Sequence, residues 1–197
     1  ALLAPILIVL GGALLGVLVE AFLPAVRRRA IQIFLTLVTL AASFIDILSI
    51  RNQSSSVAAV TSVSIDRAGI FMQGSILILA LIGTLFIADK YHFTAKAAAI
   101  PGSADEALSI SEGSIQTEVF PLTLFAVSGM LLFPVATDLI TLFVALEVLS
   151  LPLYLMAGLS RRRRLLSQEA ALKYFLLGAL SSAFFLFGGA FLYGYSG

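Results

Sequence analysis

The chain contains no cysteine and a single histidine. The first absence removes disulfides, thiolate metal sites and redox dithiols together, without saying anything about compartment. A lone histidine cannot build a metal site, and His92, in DKYHF at the start of a loop, reads as solvated or capping. Charge is scarce too. Asp, Glu, Lys and Arg make up 12% of residues, against about a quarter in a soluble domain. There is no Gly-rich phosphate loop, metal-ligand cluster or nucleophile triad. Nucleotide, flavin and iron–sulfur chemistry therefore have no site in this sequence.

What is present instead is apolar. Hydrophobic residues make up 60% of the 197 residues, which places the chain in the membrane class before any motif is read. The net charge of +1 carries little information because the charges are concentrated in short loops. The first residue is Ala1, so the chain is expected to begin after its true start. The first apolar stretch is longer than a signal-peptide core and has no basic segment before it, so it reads as a span and not as a cleaved signal. A helix needs about 20 apolar residues to cross about 30 Å of hydrocarbon. Six stretches qualify: 2–26, 30–50, 69–88, 119–136, 138–159 and 168–195. The expected fold is all-α and polytopic, a single transmembrane domain over 1–197. Spans four and five, joined by almost nothing, should form a tight antiparallel pair. In the longer connection 51–68, SSVAAVTSVSID alternates weakly with period two and suits a short β-ribbon.

The basic residues give these spans a direction. Arg27, Arg28 and Arg29 lie in loop one, Lys90 and Lys96 in loop three, and Arg161, Arg162, Arg163 and Arg164 in loop five. The even loops hold only Arg51 and Arg67. The positive-inside rule then puts the odd loops in the cytoplasm and both termini outside. The arginine runs read as topogenic signals and not as nucleic-acid or lipid-specific sites. Gly12 and Gly16, and the Gly188, Gly189, Ala190 patch, fit small-residue helix packing.

Glu147 carries the most information among the charges within spans. At 1.5 Å per residue it lies about 13 Å from the start of its span, close to the midplane. An isolated carboxylate there costs several kcal/mol, so it must be protonated, paired or facing water. Burial favours the neutral acid and a nearby cation favours the carboxylate. A carboxyl group balanced between those effects can load and release a proton. Pro152 cannot donate its backbone bond and would leave the Val148 carbonyl free beside it. The competing reading is a buried carboxylate that only holds helices together. Lys173 lies shallower, within reach of the interface by snorkelling, and Glu169 stands four residues before it in the favourable order for a surface pair. Glu20 and Asp46, near span ends, read as interfacial anchors. Asp138, directly before an apolar run, reads as the cap of span five.

The stretch 118–197 resembles a known family. GM at 129–130, DLITLF at 138–143, LExxSLPLY at 146–154 and EAALKYFLLGA at 169–179 are similar to subunit N of the bacterial proton-pumping NADH-quinone oxidoreductase, respiratory complex I. Related subunits and the cation/proton antiporters similar to them usually carry Trp before the span-five acid. Leu146 and the following SLPLY favour the N type. Over the first three spans the resemblance is one of layout only. It implies that Glu147 is the fifth-helix acid of a proton path and that Lys173 is the implicated sixth-helix lysine. It implies no redox cofactor in this chain, with quinone, FMN and iron–sulfur clusters carried by other subunits. The implied partners are other membrane subunits and the lipid bilayer, with no nucleic acid, in a bacterial inner membrane. The family continues past the position of Gly197 with further helices, including a broken seventh helix whose lysine partners the acid. The chain is therefore expected to be the front part of a longer subunit and not to pump alone. Two other classes stay open: a subunit of a multi-subunit sodium/proton antiporter, and a structural membrane scaffold that moves no protons.

Overall fold

A computed structural model describes residues 3–50, 56–58, 62–89, 103–104, 116–159 and 164–196. Arg51, Lys90, His92, Lys96, Arg161, Arg162 and Arg163 lie outside the described residues, as does the side chain of Arg164. The described elements are α1 (Ala4–Phe22), α2 (Ala25–Ile50), β1 (Ser56–Ala58), β2 (Val63–Ile65), α3 (Arg67–Ile87), α4 (Val119–Leu132), a 3₁₀ turn (Phe133–Val135), α5 (Leu139–Leu159) and α6 (Arg164–Ser196). The chain is an all-α, multi-pass membrane protein. Five of the helices are long and apolar enough to cross a bilayer. The remaining apolar segment, Val119–Val135, is shorter. Its α-helical and 3₁₀ parts together rise about 27 Å, close to the thickness of the hydrocarbon core.

Helix boundaries follow local chemistry. The first helix stops at Phe22, earlier than the apolar run alone suggests, because Pro24 has no N–H to continue it and suits the entry to the next helix. Arg27, Arg28 and Arg29 therefore fall in the opening turns of α2. Asp66 starts α3 two residues before the expected 69, its carboxylate accepting from the Gly69 backbone N–H at 2.6 Å. Asp138 caps α5. It accepts from the Thr141 backbone N–H and the Thr141 hydroxyl, both at 2.7 Å. Those bonds, the backbone one first, hold its exposed carboxyl below the usual carboxylate range.

The alternating segment does form a ribbon. β1 and β2 pair antiparallel with Ser56 opposite Ile65 and Ala58 opposite Val63. The ribbon rests on the α4–α5 connection through a bridge between Val63 and Ala136, where the Thr137 N–H donates to the Ser62 carbonyl at 3.0 Å. Loops two and four thus meet at one end of the bundle. At the other end, Arg29 Nη2 in the first turns of α2 donates to the Ala88 carbonyl at the end of α3, at 2.9 Å. Loop one therefore meets the start of loop three, as an up-and-down arrangement requires.

The central helix is α4. It packs chiefly on α1 and α5, and at its edges on α2 and α3, while α6 packs on α5. Val9, Ala13, Leu40, Leu77, Leu124 and Leu131 form the middle of the buried core. The α1–α2 contact is made by small and polar groups. Gln32, Thr36, Thr39 and Ser43 are all buried on one face of α2. Gln32 donates to the Gly16 carbonyl at 2.8 Å and Ser43 to the Pro5 carbonyl at 3.0 Å. A side chain at Gly12 would overlap Thr39, and one at Gly16 would press on Pro121 at 3.0 Å. In hydrocarbon such close packing and hydrogen bonding replace the hydrophobic drive between helices. The Gly188, Gly189, Ala190 patch does not pack in this way. A side-chain carbon added at Gly188 would meet nothing within 4 Å, and one at Gly189 would meet only Leu139 at 3.9 Å, among the described residues.

Candidate functional site

Glu147 lies near the middle of α5, on the face turned toward α6, and both neighbouring helices pack closely on α5 at this level. On one side Gly129 of α4 lies against the backbone of Ala145 and Leu149, so close that a Cβ there would collide with the Leu149 nitrogen. On the other side α6 is held by aromatic packing. The Tyr154 ring meets Tyr174 edge-on at 4.6 Å and Phe175 at 5.9 Å, and Phe143 stacks on Phe185 at 6.2 Å. The Tyr154 hydroxyl end occupies the space a side chain at Gly178 would need. Between the Phe143 and Tyr154 ring contacts the Glu147 carboxylate is half-buried and accepts a hydrogen bond from the Ser182 hydroxyl of α6. Pro152, also buried, lies on the same helix just over one turn later.

Lys173 is not part of that arrangement. Its ammonium donates to Glu169 at 2.6 Å, with the two side chains 69% and 56% exposed. Ser182 lies about 13 Å along α6 from Lys173 at the helical rise. The structure therefore keeps the two residues singled out from sequence on adjacent helices but does not bring them together. The surface-pair geometry expected from Glu169 is present. An exposed pair of this kind contributes only about 0.3–0.5 kcal/mol.

Glu20 is more than an interfacial anchor. Its carboxylate accepts from Arg28 Nη1 at 2.8 Å, from Gln32 Nε2 at 3.0 Å and from the Thr117 hydroxyl at 2.8 Å. Arg28 also donates to the Leu23 carbonyl at 2.8 Å. The guanidinium so covers the C-terminal end of α1, where the helix dipole favours a cation. Glu20 and Arg28 are only 16% and 26% exposed. This carboxylate ties α1, α2 and the segment entering α4. Replacing Glu20 by Ala leaves three donors without their acceptor and is expected to cost about 2 kcal/mol. Thermal unfolding of the detergent-purified protein checks this, and a variant as stable as the parent would return Glu20 to a simple anchor. Among the described residues Asp46 has no such network, and one of its oxygens is buried without a partner there.

Neither Ser182 nor the Glu20 network is singled out by sequence. For Ser182 the available signal is a hydroxyl on the helix after the acid. For Glu20 it is an Arg eight residues later across a proline turn. Among the described residues, no group of three or more His, Cys, Asp or Glu is placed to hold a metal ion.

Similarity to known proteins extends over the whole chain. Residues 136–197 match the transmembrane family described as NADH:quinone oxidoreductase/Mrp antiporter. NADH-quinone oxidoreductase subunit N of Acidothermus cellulolyticus is 54% identical over 98% of this chain and 38% of its own length. The subunit N of Thermobifida fusca is 52% identical over 100% of this chain and 37% of its own length. A chain in the structure of respiratory complex I from Thermus thermophilus with bound Aureothin superposes with a TM-score of 0.71. That match has 28% identity and covers 96% of this chain and 36% of the other. The chain thus spans somewhat under two fifths of the length of the curated relatives it matches. The similarity also reaches across α1, α2 and α3, where the motifs show likeness of layout only. Along essentially its whole length, this chain is similar to the subunit N proteins of NADH-quinone oxidoreductases.

Proposed function

We propose that the chain is part of a proton-translocating membrane-arm subunit of NADH-quinone oxidoreductase, in which Glu147 takes up and releases a proton. The observation that carries this reading is the half-buried carboxyl group at the middle of α5, held beside a polar donor between two long apolar helices. An intramembrane acid of this kind is a functional group by default. A cation moving close favours the carboxylate, and its withdrawal favours the acid. On this reading the cation comes from a part of the longer subunit beyond residues 1–197, which form one transmembrane unit. Redox chemistry, with its FMN, iron–sulfur clusters and quinone, belongs to partner subunits. Their electron transfer reaches Glu147 through contacts within the assembly.

Lys173 serves as a proton relay toward the cytoplasmic side. Its ammonium lies outside the Glu147 contact and is linked to it through water or other side chains. Lys173→Met is expected to lower proton pumping by roughly two- to fivefold while assembly is retained, because the exposed pair with Glu169 contributes little stability. Loss of assembly would assign Lys173 to the ion pair alone.

The orientation follows from the basic loops. Loops one, three and five face the cytoplasm and the N-terminus faces outward, in the bacterial inner membrane. The meeting of loop one with the end of α3, through Arg29 and Ala88, puts loops one and three at the same end of the bundle, as that assignment requires. The family description embraces antiporters as well, and an antiporter subunit would need the same buried acid. Affinity purification of the full-length subunit in mild detergent separates the readings. Co-purifying iron–sulfur proteins with NADH:quinone activity support the oxidoreductase. Their absence, with sodium-dependent proton exchange, supports the antiporter.

A further inference from the structure

We propose that Ser182 is the positioning residue for Glu147, holding its carboxyl group toward α6 in both the protonated and the ionised state. This rests on the reading of Glu147 as a proton-carrying group and names the residue that orients it.

The argument begins with what hydroxyl side chains do elsewhere in this protein. A Ser or Thr within a helix commonly donates back to the carbonyl one turn earlier. Thr36 does so to Gln32, Ser75 to Phe71, Thr84 to Ala80, Thr123 to Val119 and Ser150 to Leu146. Ser181, the immediate neighbour, donates to Leu177 at 3.0 Å and is exposed. Ser182 forgoes that local bond, is itself buried, and donates across the helix interface to Glu147. Successive residues point about 100° apart on a helix, so only one of the two serines can face α5. The aromatic contacts of Tyr154 and Phe143 fix which one it is.

A hydroxyl suits this task because it is both donor and acceptor. It donates to the ionised carboxylate and accepts from the protonated acid, so the contact persists while the proton comes and goes. Among the described residues, no other charged group is placed to take over that contact. α4 carries no ionisable residue. On α6, Lys173 is engaged by Glu169. Tyr174 packs on Tyr154, and Tyr193 and Tyr195 are exposed near the far end of the helix.

The test uses the full-length subunit in its assembled complex. Infrared difference spectra during turnover are recorded for the parent and for Glu147→Gln, which identifies the carboxyl C=O band of Glu147. Ser182→Ala is expected to move that band to higher frequency, through loss of the hydrogen bond, and to lower turnover roughly five- to tenfold. Ser182→Thr, which keeps the hydroxyl, should restore both. If the alanine variant does not assemble, Ser182→Cys decides, since a thiol is nearly the same size but a weak donor. A Glu147 band in its original place in the alanine or cysteine variant overturns the proposal. A parent enzyme with no Glu147 band at all overturns the proton-carrying reading and this proposal with it.

Discussion

Gly129→Leu is expected to prevent α4 and α5 from closing on each other, destabilising the detergent-purified protein by about 3 kcal/mol. The reason is geometric. Even one carbon at this position would overlap the Leu149 nitrogen, with the Ala145 carbonyl oxygen only 2.9 Å away. Both obstacles are backbone, so neither can rotate aside as the end of a side chain can. Relief requires the two helices to separate. The α4–α5 interface is the most extensive between helices of the bundle. Gly83→Leu is a suitable control, since Gly83 has nothing within 4 Å of the added carbon, and it should melt within about 0.5 kcal/mol of the parent. If Gly129→Leu melted with the control, the close α4–α5 crossing would be wrong.

Much of this architecture is legible in the sequence because hydrocarbon imposes a simple rule on length and polarity. Stretches of about 20 apolar residues become helices, and the segments between them carry the charge. The short connection at Thr137 gives away the α4–α5 pair, and an Asp before an apolar run gives away the cap of α5. Period-two alternation locates the ribbon at Ser56–Ala58 and Val63–Ile65. The end of α1 is misplaced by hydropathy, which runs on through Val26, whereas the missing N–H of Pro24 decides where the helix stops.

What stays hidden depends on contacts remote in sequence. Glu20 looks like a charge near a helix end, and its bond with Thr117 joins residues far apart in the chain. Ser181 and Ser182 are adjacent and chemically identical. Which of them meets Glu147 is set by the rotation of α6 on α5, and that rotation is fixed by ring packing no local pattern encodes. The Gly188, Gly189, Ala190 patch is the converse case: an added side-chain carbon at either glycine would meet almost nothing among the described helices.

Glu147→Gln carries the largest expected functional effect. The amide keeps the shape of the side chain and can still accept from Ser182, so packing between α5 and α6 should survive. The substitution removes the ability to bind and release a proton. A positioned proton-transfer group is worth roughly a hundredfold in rate or more. Turnover coupled to pumping should therefore fall by about that factor while assembly of the complex remains at the parental level. A scaffold role predicts parental turnover as well as parental assembly, since glutamine preserves the hydrogen bond and the fold.

The most direct test of the central claim is the proton-to-electron ratio of the assembled complex in sealed proteoliposomes, measured for the parent and for Glu147→Gln at equal assembly. The account predicts that the glutamine enzyme translocates fewer protons per electron, with its residual turnover strongly reduced. A glutamine enzyme that pumps with the parental ratio and the parental rate would contradict it.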